Sequence, residues 1–250
     1  MLACRLILDP PGPGAWNMAV DEALLESGGQ DDEWTLRFYG WSEPTLSLGY
    51  FQSVASRQIH TASRSCPLVR RQSGGGAIVH DAELTYSLTV PARHALARDS
   101  QRLYRAVHAA FVGALASAGI SAELYETLSA PRPASASSEP FLCFNRRGIG
   151  DILIGTSKVG GSAQRRRGGS VLQHGSLLLR RSAAAPELPG IEDLCRQVRS
   201  WEEWRSLFSG KLVQSLEIAA RAAPLSESLR QRAADLAQDK YAAPSWNARR

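Results

Sequence analysis

Lysine is nearly missing from this 250-residue chain: of 29 basic residues only Lys158, Lys211 and Lys240 are lysine, and the rest are arginine. Paired cysteines are missing as well. Cys4, Cys66, Cys143 and Cys195 are scattered with no CxxC spacing, which argues against a disulfide framework and against a zinc site. No apolar run is long enough to span a bilayer, and the start, crowded by Cys4, Arg5 and Asp9, has no secretory pattern. The expectation is a cytoplasmic protein with no membrane partner and no bound metal. What is present in quantity is apolar surface. A 44% hydrophobic share supports a sizeable core and excludes a disordered chain. The formal charge of +5 fits either nucleic acid or acidic protein partners, and composition does not separate the two.

The length suits one large domain, taken as residues 1–250. "WNMAVDEALLESGG" (Trp16 to Gly29) has helical spacing and a double-glycine stop. "WTLRFYGWSEPTLSLGYFQS" alternates around a Ser-Glu-Pro turn and predicts two strands, and "AELTYSLTVP" predicts another, ended by Pro91. Arg93 to Gly119 is amphipathic and helical, and Ser129 to Pro140 is a Ser/Ala/Pro loop. Next comes a meander: a strand "DILI", a turn, a strand "KVGGSAQ", a turn "RRRGGS" and a strand "VLQHGSLLL". Residues 191–250 read as helical, broken at Pro224 and Pro244. The fold expected is therefore mixed α/β (α+β), with mixed and antiparallel sheets flanked by helices.

"RRQSGGGAIVHD" (Arg70 to Asp81) is the stretch with the densest chemistry. Glycines permit positive φ and let a ligand approach the backbone, where successive N–H groups form a nest for anions or carbonyl oxygens. The stretch lacks the Gly-Lys-Ser/Thr ending of a nucleotide P-loop and the spacing of a dinucleotide fingerprint. Arg70 and Arg71 alternate along a strand, so one of them is expected to face a ligand. A glycine-rich hairpin with surface arginines is the plainer alternative.

Three segments resemble one family. "RRQSGGGAIVHD", "SKVGGSAQRRRGGSVLQHGSLLL" (Ser157 to Leu179) and "KYAAPSWN" (Lys240 to Asn247) are similar, in order, to the signatures of lipoate–protein ligases and octanoyltransferases, relatives of biotin protein ligases. The resemblance covers most of the chain. It implies a biotin/lipoate protein ligase-like catalytic domain whose glycine loop and lysine strand line one acyl pocket. It also implies attachment of octanoyl or lipoyl groups to a lysine of a carrier domain.

Two mechanisms fit that scaffold. A ligase activates the acid with ATP and Mg2+ as an adenylate. A transferase moves the acyl group from a carrier thioester through a cysteine and needs no cofactor. Both use Lys158, which can bond an acyl carbonyl or exchange a proton as arginine cannot. Cys143, in "PFLCFNRRGIGD", occupies the loop that holds the nucleophile in cysteine-dependent octanoyltransferases, with Arg146, Arg147 and Lys158 near in sequence to favour a thiolate. A buried apolar cysteine is the alternative. Two-domain ligases carry an accessory domain beyond the closing motif, and only three residues follow it here, which favours the transferase. A non-catalytic acyl- or lipoyl-binding protein is a third reading.

The remaining expected binding residues are Arg70, Ser73, Gly74, Gly75, Gly76, His80, Gly161, Ala163 and His174. His80 and Asp81 could equally hold the loop, and Asp151 is expected to orient Lys158. The run Arg165–Arg167, placed in a turn, reads as a solvated cluster or as a docking patch for acidic acyl carrier protein (the octanoyl donor) and for lipoyl domains such as glycine cleavage H protein or a 2-oxoacid dehydrogenase E2. It has no interleaved aromatics, so nucleic acid is not an expected partner.

Overall fold

The structure is a computed structural model that describes residues 2–28, 32–126 and 140–249. In chain order its elements are β1 (Leu2–Leu8), α1 (Gly14–Ser27), β2 (Trp34–Tyr39), β3 (Thr45–Leu48), β4 (Leu68–Arg70), β5 (Ile78–His80), β6 (Glu83–Pro91), α2 (Ala95–Arg98) and α3 (Ser100–Ser117). Then follow β7 (Glu123–Leu124), β8 (Ile152–Ile154), β9 (Ser157–Arg167), β10 (Ser170–Leu178), α4 (Ile191–Cys195), α5 (Trp201–Ser215), β11 (Ile218–Ala222), α6 (Glu227–Leu236) and α7 (Pro244–Asn247). Two sheets form: an eight-stranded one ordered β11-β1-β2-β6-β10-β9-β8-β7 and a three-stranded one ordered β4-β3-β5. The fold is mixed α/β, as the alternation and helical spacing predict. Gly29 and all but Pro140 of the Ser/Ala/Pro loop lie outside the described residues.

Alternation decides what each face of the large sheet meets. In β6, Leu84, Tyr86, Leu88 and Val90 fall on one side, and Thr85, Ser87 and Thr89 on the other. Residues directly opposite across the ladders keep these sides: Leu36 pairs with Leu88, Arg37 with Ser87, and His174 with Ser87. The apolar side packs under α3 and α5, where Phe111 meets Tyr86 and Phe208 edge-on. The polar side lies under α1. All nine residues of β6 are buried, so both faces are covered.

Two sequence expectations change. The chain beyond Ile191 is not wholly helical, because β11 pairs in parallel with β1; that partner is more than 200 residues away, so no local period announces it. Arg165–Arg167 end strand β9, and the turn is Gly168–Gly169, both at positive φ.

The segment from Lys240 to Asn247 acts as a clamp. Lys240 Nζ donates to both Glu22 carboxylate oxygens, at 2.6 and 2.8 Å, and Tyr241 Oη donates to Glu22 at 2.6 Å. Trp246 Nε1 donates to the Arg70 carbonyl at 2.8 Å, and the Asn247 side chain accepts the Arg70 N–H at 2.8 Å. Glu22 is held below the usual carboxylate range: burial opposes its charge, but Lys240 and Tyr241 outweigh it. Among the described residues, no helix is long and apolar enough to cross a membrane.

Candidate functional site

The glycine loop between β4 and β5 closes one wall of a cavity of about 480 Å3, walled elsewhere by Met18 from α1, Tyr39 from β2, Thr85 from β6, and Ser162 and Ala163 from β9. Of the residues expected from sequence, Gly74, Gly75, His80, Cys143, Gly161, Ala163 and His174 line it. Arg70 does not. Its guanidinium is fully buried and donates to the carbonyls of Gly49, Gln52 and Asn247, so it holds the loop to the clamp. The arginine on the cavity is Arg71, which the alternation argument allowed but did not select. Arg71 Nη2 donates to the carbonyls of Gly74 and Gly76, at 2.9 and 2.6 Å, and Nη1 donates to Ser47. Burial lowers its pKa to about 10.

The glycines themselves have separate reasons. Gly75 sits at φ +94°, where a side chain is strained. A Cβ on Gly76 would lie 3.1 Å from the Cys143 amide nitrogen and the Phe141 carbonyl. That contact exists because the loop docks the Cys143 segment through two backbone bonds: Ala77 N–H to Phe141 O at 3.0 Å, and Cys143 N–H to Ala77 O at 2.7 Å. The glycine run and the cysteine loop are thus one structural unit, although some 65 residues separate them.

Lys158 completes the unit. Its Nζ lies 3.8 Å from Cys143 Sγ and pairs with Asp151 Oδ2 at 2.8 Å. Asp151 is fixed in turn by Tyr104 Oη at 2.5 Å and by the Gly148 N–H at 2.6 Å. A Cβ on Gly161 would come within 2.6 Å of Lys158 Cε, so the glycine is what lets the lysine tail fold across its own strand. Of the two arginines expected beside the sulfur, Arg146 Nε donates to the Pro140 carbonyl and Arg147 Nη2 to the Thr156 carbonyl. Lys158 is in direct contact with the Cys143 sulfur.

Beneath the loop runs a buried polar chain. His174 Nδ1 faces Asp21 Oδ2 at 3.0 Å, which leaves Nε2 to accept the Ser73 hydroxyl at 2.5 Å. Asp21 also receives Arg37 Nη1 at 3.0 Å and Tyr39 Oη at 3.0 Å. Burial alone would raise the Asp21 pKa, but His174 and the Arg37 charge hold it below the usual carboxylate range. Beside it, Ser47 links Arg71 to His80 Nε2, and His80 Nδ1 donates to Glu83 at 2.7 Å under the stacked ring of Trp41. His80 therefore both lines the cavity and braces the loop. Asp21, Arg37, Met18 and Tyr39 were not singled out in the sequence. The available signal was Asn17 and Asp21, polar residues one turn apart on a helix whose other residues between Ala15 and Asp21 are apolar.

The three-arginine run is less available than its sequence suggests. Arg167 pairs with Glu22 and Glu26, Arg166 donates to the Ala97 carbonyl, and Arg165 lies 5.5 Å from the Tyr50 ring. No group of three His, Cys, Asp or Glu side chains among the described residues could hold a metal ion.

Residues 13–198 match the lipoyl protein ligase A/B catalytic domain. The chain belongs to that family. Octanoyltransferase LipM of Symbiobacterium thermophilum is 33% identical over 270 residues, covering 98% of each chain, and LipM of Geobacillus kaustophilus is 31% identical, covering 95% of each. Among solved structures, a T. acidophilum protein described as a lipoate protein ligase superposes at TM-score 0.81 with 26% identity over 100% of both chains. A lipoate-protein ligase A bound with ATP superposes at 0.80 with 24% identity over 99% of each, a likeness of fold.

Proposed function

We propose that this protein is an octanoyltransferase of protein lipoylation, in which Cys143 carries the acyl group from a carrier-protein thioester to the lysine of a lipoyl domain. The observation that carries the reading is the Cys143–Lys158 pair, sulfur and ammonium 3.8 Å apart, at a cavity with an apolar interior. The full-length likeness to LipM proteins supports it. Cys143, as the thiolate, attacks the thioester carbonyl with the Lys158 ammonium 3.8 Å from its sulfur. A C–S bond to Sγ forms, the bond to the donor sulfur breaks, and the donor leaves as a thiol with a proton from Lys158. The neutral amine of the target lysine then attacks the enzyme thioester: a C–N bond forms, the C–Sγ bond breaks, and Lys158 takes the amine proton. Asp151 holds Lys158 through both steps. Gly74, Gly75, Gly161 and Ala163 leave room for the chain, while Ser73, His80 and His174 set the wall behind it.

The donor is acyl carrier protein, the acceptor is a lipoyl-domain protein such as glycine cleavage H protein or a 2-oxoacid dehydrogenase E2, and the setting is cytoplasmic. The route requires no cofactor. Incubation with octanoyl-carrier should add one octanoyl group to Cys143 by intact mass, without ATP, and Cys143→Ser should stay folded but transfer nothing. The superposition on lipoate ligases favours a second reading, an ATP- and Mg2+-dependent ligase. Transfer by Cys143→Ser, or transfer that depends on ATP, would select it.

A further inference from the structure

A second cleft, of about 470 Å3, lies against the acyl cavity and is joined to it at two side chains. Phe144 lines both, and Lys158, which touches Cys143 inside the first, lines the second. The rest of its lining is of another character: Asn145, Arg147, Thr156, Ser157 and Glu187, with Leu188 and Pro189. The side chains of Asn145, Thr156 and Ser157 make no hydrogen bond to other described residues, so an amide and two hydroxyls stand open to a ligand. A thioester has two arms on opposite sides of its carbonyl carbon. With the hydrocarbon in the apolar cavity and the carbon at Cys143 Sγ, the sulfur-bearing arm starts beside Lys158, whose Nζ is 3.8 Å from Sγ. Beyond Lys158 lies this cleft.

We infer that the cleft binds the amide-bearing thiol arm of the acyl donor, of the pantetheine class, with Asn145 and Ser157 meeting its amides and Arg147 at the rim. The inference rests on the transfer reading above. Acylation of Cys143 is followed by intact mass with three octanoyl thioesters: of pantetheine (two amides), of N-acetylcysteamine (one) and of 2-mercaptoethanol (none). The wild-type enzyme should favour the first over the last by about tenfold or more, a few-fold for each amide bonded. In Asn145→Ala and in Ser157→Ala that ratio should fall toward about threefold or less, with acylation by the mercaptoethanol ester unchanged. Equal rates for the three donors in the wild type, or an unchanged ratio in both variants, would overturn the assignment while leaving the thioester chemistry intact. Competition by millimolar ATP would give the cleft to a nucleotide instead. Absence of any Cys143 adduct from all three donors would remove the transfer reading and this one with it.

Discussion

The two faces of the large sheet are equally dry and chemically opposite. Under α3 and α5, Trp34, Phe38, Phe111 and Phe208 pack as hydrocarbon, and each contributes by the area it removes from water. Under α1, Arg37, Thr85, His174 and Asp21 are just as inaccessible, yet their side-chain polar atoms have named partners, whereas Ser87 Oγ and Thr89 Oγ1 on that face have none among the described residues. A buried charge network of this kind costs its desolvation and returns it only if complete. It is therefore a poor way to gain stability and a good way to fix the orientation of a few atoms. The apolar face makes the fold, and the polar face makes the cavity. A residue's role follows from which side of the alternation it takes.

The largest effect separates chemistry from support. Lys158→Arg keeps the charge next to Asp151 but removes a compact amine able to exchange protons. Octanoyl transfer should drop by about 10^2 to 10^4 while the melting temperature barely moves. Near-normal turnover would reduce Lys158 to a point charge.

Stability should be lost comparably, for different reasons, on the two faces. Phe111→Ala should cost about 3–5 kcal/mol by cavity formation. Asp21→Ala should cost about 3–5 kcal/mol because Arg37 and His174 lose a buried partner. The two diverge with a gentler substitution: Phe111→Leu should recover most of the loss, whereas Asp21→Leu, apolar and bulky, should not. Denaturant midpoints give the comparison. If Asp21→Leu is as stable as the wild type, the polar face is no network.

A smaller test uses the polar inclusion within the apolar face. His108 Nδ1 donates to the Gly150 carbonyl and Nε2 accepts the Ser162 hydroxyl, both at 2.6 Å, and burial lowers its pKa from 6.5 to about 4. The unfolded chain therefore binds a proton between pH 6.5 and 4 that the folded chain does not. Stability from this group is full above pH 6.5 and declines by about 3 kcal/mol as the pH falls to 4. His108→Gln should flatten that part of the pH dependence in urea unfolding. An unchanged slope would show that the histidine titrates freely in the fold.

The smallest effect is expected on the surface. Arg165→Glu should slow association with an acidic carrier a few-fold at low salt, with stability altered by less than about 0.5 kcal/mol. Arg167→Glu should instead lower stability, by placing a carboxylate beside Glu22 and Glu26. Identical behaviour of the two would mean that both are solvated.

Much of this site could be read in advance because its signals are local. The SGGG run, the lysine with a glycine three residues on, and the cysteine in a polar loop each announce unusual backbone or unusual chemistry within a dozen residues. The rest depends on pairing at a distance. Alternation says that β2 and β6 are strands but not that α1 covers their polar side, so Arg37 reads as an ordinary outward residue until Asp21 is set against it. Alternation likewise says that one of Arg70 and Arg71 faces inward. Which one was decided by Asn247, 177 residues away.

That last distance bears on when the protein can become active. The glycine loop is synthesised early, but the carbonyl that receives the Arg70 guanidinium and the amide that receives its backbone N–H come from Asn247. During translation the loop must wait, with a buried-to-be arginine still in water, for 177 more residues. Closing so long a contact is slow compared with forming the hairpin of β9 and β10. A ribosome-bound chain that already holds Cys143 and Lys158 would therefore have the Cys143 thiol before it has a finished pocket, and acyl transfer should switch on only once synthesis has passed the clamp.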